Sequence, residues 1–211
     1  MRELLDLYNL RKAVIRQRLS GFRSLRKTSK DKIFAELCFC LCTPQSKAKA
    51  GAKAIHLLEK ERLLECGTHA QISRTLKKAG VRFHNNKSRF IIAARKCFSP
   101  SFIPTRDAEM TYSKILQTRD LLVKNIKGMG YKEASHFLRN IGCGGELAIL
   151  DVHILKNMKR LKIIRSIPKS ITRKQYLLME KKLKAFSKKA GIPLDELDLL
   201  LWSKETGEVF K

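Results

Sequence analysis

The chain has 211 residues, enough to bury a core and form one compact unit of two lobes. Lys plus Arg number 45 against 19 Asp plus Glu, a formal charge of +26, and a charge of that size calls for a polyanionic partner. No apolar run approaches transmembrane length and the start, Met1-Arg-Glu-Leu-Leu-Asp, lacks a signal-peptide pattern, so a membrane protein is disfavoured and a soluble, intracellular chain is expected.

The basic residues are spread along the chain, which predicts a folded basic surface and not a disordered arm. Almost every segment has helical period and none alternates convincingly as a strand, so the expected fold class is all-α. Leu4, Leu7, Val14 and Leu19 give a first helix with a basic outer face, ending near Ser20-Gly21. Asp31 to Cys42 is a strongly apolar second helix, placed at the centre of the core, in which Cys38 and Cys42 share a face with Phe34 as free thiols. Thr43-Pro44-Gln45-Ser46-Lys47 starts another helix with Pro44 in its first turn, which makes Gln45 a polar residue of that turn. The small-residue run from Lys47 to Ala54 allows close approach of backbone and offers three positive charges.

Thr68 to Ala79 reads as a capped short helix closed by Gly80. The next stretch, from Val81 to Phe98, carries Arg82, Lys87, Arg89, Arg95 and Lys96, which either follow a phosphate chain or solvate a surface. Ser99 to Pro104 is an irregular loop between the halves of the chain, too short for a flexible linker. Beyond Asp151 a helix runs to about Leu161, Pro168-Lys-Ser170 breaks it, and Thr172 caps a long basic helix ending at Gly191. Pro193 opens the last helix, through Trp202. Of the six cysteines, Cys66 stands near His69, but no second pair has ligand spacing, so no metal or other cofactor is expected.

The stretch from Leu121 to Ile141 carries the most information. Leu121, Leu122, Asn125 and Ile126 fit the end of a helix, Gly128 and Gly130 break it, and Ala134, Phe137, Leu138 and Ile141 form one face of a new helix from Lys132. Lys127-Gly128-Met129-Gly130 is then a hairpin whose glycines permit a tight turn and whose N–H groups could cradle a phosphate. Three readings stand: an ordinary αα-corner, a passive DNA-binding hairpin, or a hairpin with chemistry attached. The third rests on Lys132, a cation at a helix start where the macrodipole disfavours it, and on Asp151, placed as an N-cap before Val152. Asp151 is either that cap alone or a cap with a second role. His136 and His153 read as helix residues satisfied locally.

Lys-Gly-Met-Gly-Tyr-Lys132 followed by Ile-Leu-Asp151-Val-His-Ile resembles the signature of the helix-hairpin-helix DNA glycosylase superfamily. The wording from Val123 to Gly142, and the ending Glu-Leu-Asp-Leu-Leu-Leu-Trp202 with Thr-Gly207 and a final lysine, is similar to the archaeal-type 8-oxoguanine DNA glycosylase/AP lyases. The likeness covers most of the chain and is loosest around Thr43–Ala54, where Thr-Pro-Gln replaces the usual Thr-Ala-Asn. It implies a two-lobed all-α helix-hairpin-helix glycosylase fold with the active-site cleft between the lobes. It also implies a monomer that works in the cytoplasm, on the nucleoid, upon double-stranded DNA containing 8-oxoguanine. Lys132 would be the Schiff-base nucleophile, its amine driven toward the neutral form from an ordinary pKa of about 10.4 by burial and the helix N-terminus. Asp151 would stabilise positive charge at the sugar C1′, Lys127 to Gly130 would bind phosphate, and Gln45 would fill the gap left by the extruded base. Trp202 and the carboxylate of Lys211 would recognise the base; without the resemblance, the first reads as a core aromatic and the second as a frayed terminus. An iron–sulfur cluster of the endonuclease III kind is not implied, since no cysteine follows Cys143. A glycosylase for oxidised pyrimidines and a non-enzymatic DNA-binding protein are the alternatives.

Overall fold

The computed structural model describes residues 1–99, 102–103 and 111–210, and among these every regular element of more than one residue is an α-helix. In chain order they are α1 (Arg2–Leu25), α2 (Lys30–Cys42), α3 (Ala48–Lys60), α4 (Leu63–Cys66), α5 (His69–Lys78), α6 (His84–Cys97), α7 (Tyr112–Asn125), α8 (Tyr131–Asn140), α9 (Val152–Arg160), α10 (Arg173–Ala190) and α11 (Leu194–Thr206). Half of the loop expected from Ser99 to Pro104, residues 100, 101 and 104, lies outside the described residues. The chain divides into two compact units, one of Arg26–Phe137 and one of Met1–Leu25 with Leu138–Lys211. Among the described residues no helix is long and apolar enough to cross a membrane.

In the unit of Arg26–Phe137, α2 is the central element. Every residue from Ala35 to Cys42 is buried, as an apolar run on all sides of a helix requires. Helices α3 and α6 pack on it, and Gly51 of α3 lies so close to the Phe39 ring that a Cβ there would stand 3.4 Å from it. The thiols of Cys38 and Cys42 are free and buried as expected, and burial pushes that of Cys42 up to about 12. Helix α5 opens on a full capping box between Thr68 and Gln71.

The other unit is built on α11, whose Leu197, Leu199, Leu200 and Leu201 are all completely buried. Helices α1, α9 and α10 pack against it. Tyr8 donates to Glu196 Oε2 at 2.5 Å and Arg16 Nε to Glu196 Oε1 at 3.1 Å, tying α1 to the first turn of α11. The first helix does not stop at Gly21: it continues to Leu25, because one helical glycine costs only about 1 kcal/mol and buried Phe22 anchors the last turn. Its inward face is Leu4, Tyr8, Ile15, Leu19 and Phe22, while Val14, expected on that face, is exposed. The Thr172 capping box of α10, its end at Gly191 (φ 68°) and the opening of α11 after Pro193 stand where expected.

Between α7 and α8 the chain turns in five residues, Ile126 to Gly130. Gly128 has φ +87° and its α-carbon lies against Phe90 of α6, so that a Cβ would overlap the ring. The turn therefore depends on glycine twice, for its dihedral and for its contact. Gly128→Ala should lower stability by about 2 kcal/mol or more, measured by denaturant unfolding, and the loss should shrink in a Phe90→Leu background. A fully additive pair would mean that the ring contact contributes nothing.

Candidate active site

Helix α8 begins at Tyr131, one residue earlier than the expected Lys132, which places Lys132 at the second position of the first turn. Ala134, Phe137, Leu138 and Ile141 are completely buried, the predicted inner face, and they hold the opposite side of α8 with Lys132 half-buried. Glu133 accepts from the Gly130 N–H through Oε2 at 3.1 Å, the reach-back of a helix-start carboxylate, and its Oε1 lies 3.1 Å from Lys132 Nζ. Lys132 Nζ also donates to Thr43 Oγ1 at 3.3 Å. The negative charge of Glu133 thus offsets the unfavourable placing of a cation at a helix N-terminus.

The hairpin residues divide by role. Met129 is buried and its N–H bonds the Ile126 carbonyl at 3.1 Å, while the Gly130 N–H is held by Glu133. Lys127 and Gly128 are exposed, and they, with the N–H groups of the first turn of α8 that no intrahelical carbonyl can reach, form the face open to an anion.

The segment at Thr43 departs from expectation. Residues 43–47 are a turn and not the start of a helix; α3 begins at Ala48, and Gln45 is exposed with φ 53°, in the left-handed region. Three bonds from one buried lysine explain it. Lys87, 4% exposed, donates to the Cys42 carbonyl at 2.8 Å, the Pro44 carbonyl at 2.7 Å and Ser46 Oγ at 2.9 Å. These acceptors lie at and just beyond the C-terminal end of α2, where a cation is favoured over continued helix. Burial pushes the Lys87 ammonium down to about 8; Lys132 and Arg82 add to the shift, and Cys42 and Glu133 oppose it. Lys87 is thereby removed from the residues expected to follow a phosphate chain. Arg95 is removed too, since it donates to the carbonyls of Leu63, Leu64 and Gly67. Arg82, Arg89 and Lys96 remain on the surface.

Asp151 belongs to the unit built on α11, and it caps α9. Its Oδ1 accepts from the His153 N–H at 2.9 Å and the Ile154 N–H at 2.8 Å, which leaves Oδ2 outside the cap. Trp202 is half-buried on α11, with the His153 ring edge-on at 6.5 Å and the Phe210 ring stacked at 6.4 Å. Gly207, at φ 84°, turns the chain back to make that stack, and Arg18 Nε holds the Phe210 carbonyl at 3.3 Å. Lys211 lies outside the described residues. Buried Nδ1 of His153 has no hydrogen-bond partner among the described residues, so the expectation of local satisfaction fails for that ring. The roles of Thr43 and Phe210 were not read from the sequence, and Lys87 was expected only to follow a phosphate chain or solvate a surface. Only Glu133 had a local signal, its spacing of three from the glycine that precedes the helix.

A family model described as 8-oxoguanine DNA glycosylase matches residues 15–192. The 8-oxoguanine DNA glycosylase/AP lyase of Fusobacterium nucleatum is 43% identical over 212 residues, spanning 99% of this chain and 96% of the relative. That of Methanocaldococcus jannaschii is 35% identical, over 95% and 93% of the two chains. Among solved structures, the 8-oxoguanine DNA glycosylase of Thermotoga maritima superposes with a TM-score of 0.89 at 32% identity, covering 100% of this chain and 97% of that one. The M. jannaschii enzyme in complex with a 15mer DNA containing 8-oxoguanine gives 0.87 at 32% identity, with 100% of both chains covered. The sequence likeness extends over the whole length and agrees with the all-α fold and the hairpin geometry: the chain belongs to the helix-hairpin-helix 8-oxoguanine DNA glycosylase family.

Proposed function

We propose that this chain excises 8-oxoguanine from double-stranded DNA and then nicks the abasic site, with its two compact units acting as one glycosylase. The observation that carries the reading is the half-buried Lys132 in the first turn after the hairpin, held by a hydroxyl and a carboxylate, a placement that phosphate binding alone does not require. A base inside a duplex is out of reach, so the damaged nucleotide is extruded, at a cost of a few kcal/mol in lost stacking and pairing. Phosphate contacts at Lys127, Gly128 and the start of α8 offset that cost.

The neutral amine of Lys132 attacks C1′ as the N-glycosidic bond breaks and the base departs with the bonding electrons. Positive charge that develops on the sugar is stabilised by Asp151, through the oxygen its cap leaves over. Loss of the ring oxygen from C1′ gives the protonated Schiff base, which acidifies the C2′ proton. Removal of that proton expels the 3′ phosphate by β-elimination and leaves the nick. Trp202, with Lys211, is assigned to base recognition, and Gln45, exposed on its left-handed turn, to the gap left by the extruded base. The protein works as a monomer, in the cytoplasm and on the nucleoid.

Borohydride should trap a covalent adduct between this protein and lesion-containing DNA, and Lys132→Gln should give none; an undiminished adduct would move the nucleophile elsewhere, with Lys127 the first alternative. Asn caps a helix about as well as Asp, so Asp151→Asn should change stability by only about 1 kcal/mol or less, yet slow base excision by about 100-fold or more in single-turnover assays. Near-normal excision by that variant would reduce Asp151 to a cap. Affinity for duplex should fall with salt at a log–log slope of about −0.9 per neutralised phosphate, and a nearly flat dependence would contradict phosphate-dominated binding.

A further inference from the structure

Lys87 is the one lysine of the described residues that is buried, and it lies in the same unit as Lys132. A buried ammonium is costly unless its donors are all matched, and here three acceptors match them. All three acceptors belong to residues 42–46, the turn that also carries Thr43. We propose that Lys87 is a positioning residue for the Lys132 amine: it pins this turn, and the turn presents Thr43 Oγ1 to Lys132 as a fixed acceptor. The inference rests on the reading of Lys132 as the nucleophile.

The chemistry follows from counting protons. Thr43 has one hydroxyl proton, and it is committed to the Cys40 carbonyl at 2.8 Å. Toward Lys132, 3.3 Å away, Thr43 can therefore only accept. A neutral lysine amine has two N–H donors and one lone pair. Thr43 Oγ1 takes one donor and Glu133 Oε1, at 3.1 Å, the other. The lone pair is then directed away from both, which is what attack on an incoming carbon needs. Without its anchor, the turn would lose the bonds that hold the left-handed Gln45 and the Pro44 carbonyl in place. Thr43, at the C-terminal end of α2, would be free to move relative to α8. Glu133 is fixed by its bond to the Gly130 N–H, so it is the Thr43 side of the cradle that depends on Lys87.

The test is single-turnover borohydride trapping on a duplex with a preformed abasic site, which needs no base recognition or excision. Lys132→Gln is run first. If it still traps, the nucleophile reading fails and the inference with it; if trapping is lost, the remaining variants address Lys87 alone. Thr43→Val should slow trapping about 10-fold, while Thr43→Ser, which restores the hydroxyl, should stay within about 2-fold of wild type. Lys87→Met should slow it about 10-fold, with the dissociation constant for an uncleavable duplex changed by no more than about 2-fold. The double variant Lys87→Met/Thr43→Val should be no slower than Lys87→Met, because both act along one path. Should Lys87→Met fail to fold, Ser46→Ala, which removes one of the three acceptors, takes its place in the cycle and must show the same non-additivity. Trapping at wild-type rate by Thr43→Val, equal slowing by Thr43→Ser, or multiplying effects in the double variant would each overturn the proposal.

Discussion

The placing of Lys132 depends on how the chain leaves the hairpin. At φ +87° Gly128 takes the one dihedral that lets Met129 drop into the core and Gly130 start a helix, and it does so flush against Phe90. Glu133 then closes the turn from the other side by taking the Gly130 N–H. Every residue from Ala134 to Ile141 is buried, and Ala134, Phe137, Leu138 and Ile141 fix which side of α8 meets apolar core, so the azimuth of Lys132 is fixed too. A backbone constraint at one glycine and an apolar stripe of four residues thus decide where an amine four residues after that glycine stands. Preorganisation of this kind, on a helix and not on a loop, is what the nucleophile role proposed for Lys132 requires.

A net charge of +26 would by itself destabilise a compact chain, and the structure divides its cations into two sets. Lys87, Arg95, Arg119 and Arg139 are turned inward. Lys87 and Arg95 saturate carbonyls at the ends of α2 and α4, Arg119 reaches Ser135, and Arg139 pairs with Asp198 over the Phe22 ring. Lys87 and Arg95 thereby build a turn and a helix end where backbone carbonyls would otherwise lie unpaired. Lys127, Arg82, Arg89 and Lys96 stay in water and carry the field that a polyanion meets. A basic composition alone does not separate the two sets; burial does.

Much of this was legible in the sequence, for reasons that differ by residue. The caps at Thr68, Asp151 and Thr172 and the ends at Gly80 and Gly191 were readable because capping is local, a side chain bonding N–H groups two or three residues on. The apolar run of α2 was readable because it is continuous, and the apolar stripe of α8 because period carries it. The turn at 43–47 was misread, since Pro44 suits a first helical turn equally well and the deciding partner, Lys87, is 43 residues away from the Pro44 carbonyl it holds. Gly21 misled for the converse reason: the glycine signalled an end that buried Phe22 overrides. Thr43 and Phe210 were invisible because their roles come from tertiary partners, Lys132 and Trp202, and nothing in their neighbours along the chain marks them.

In the proposed reaction Asp151 serves fold and chemistry with one side chain, and without a compromise between them. Both cap bonds fall on a single oxygen, Oδ1, at 2.9 and 2.8 Å. Two N–H donors at the helix N-terminus are satisfied by that one oxygen. They also fix the carboxylate plane, so that Oδ2 is directed by bonds it does not itself make. A glutamate could supply the charge but adds a rotatable bond between cap and reacting oxygen, and an asparagine could supply the cap but not the charge. Only aspartate satisfies both demands at this position. The stability of α9 and the electrostatics of the proposed reaction then rest on one residue, and separating them requires a variant that removes the charge and keeps the cap.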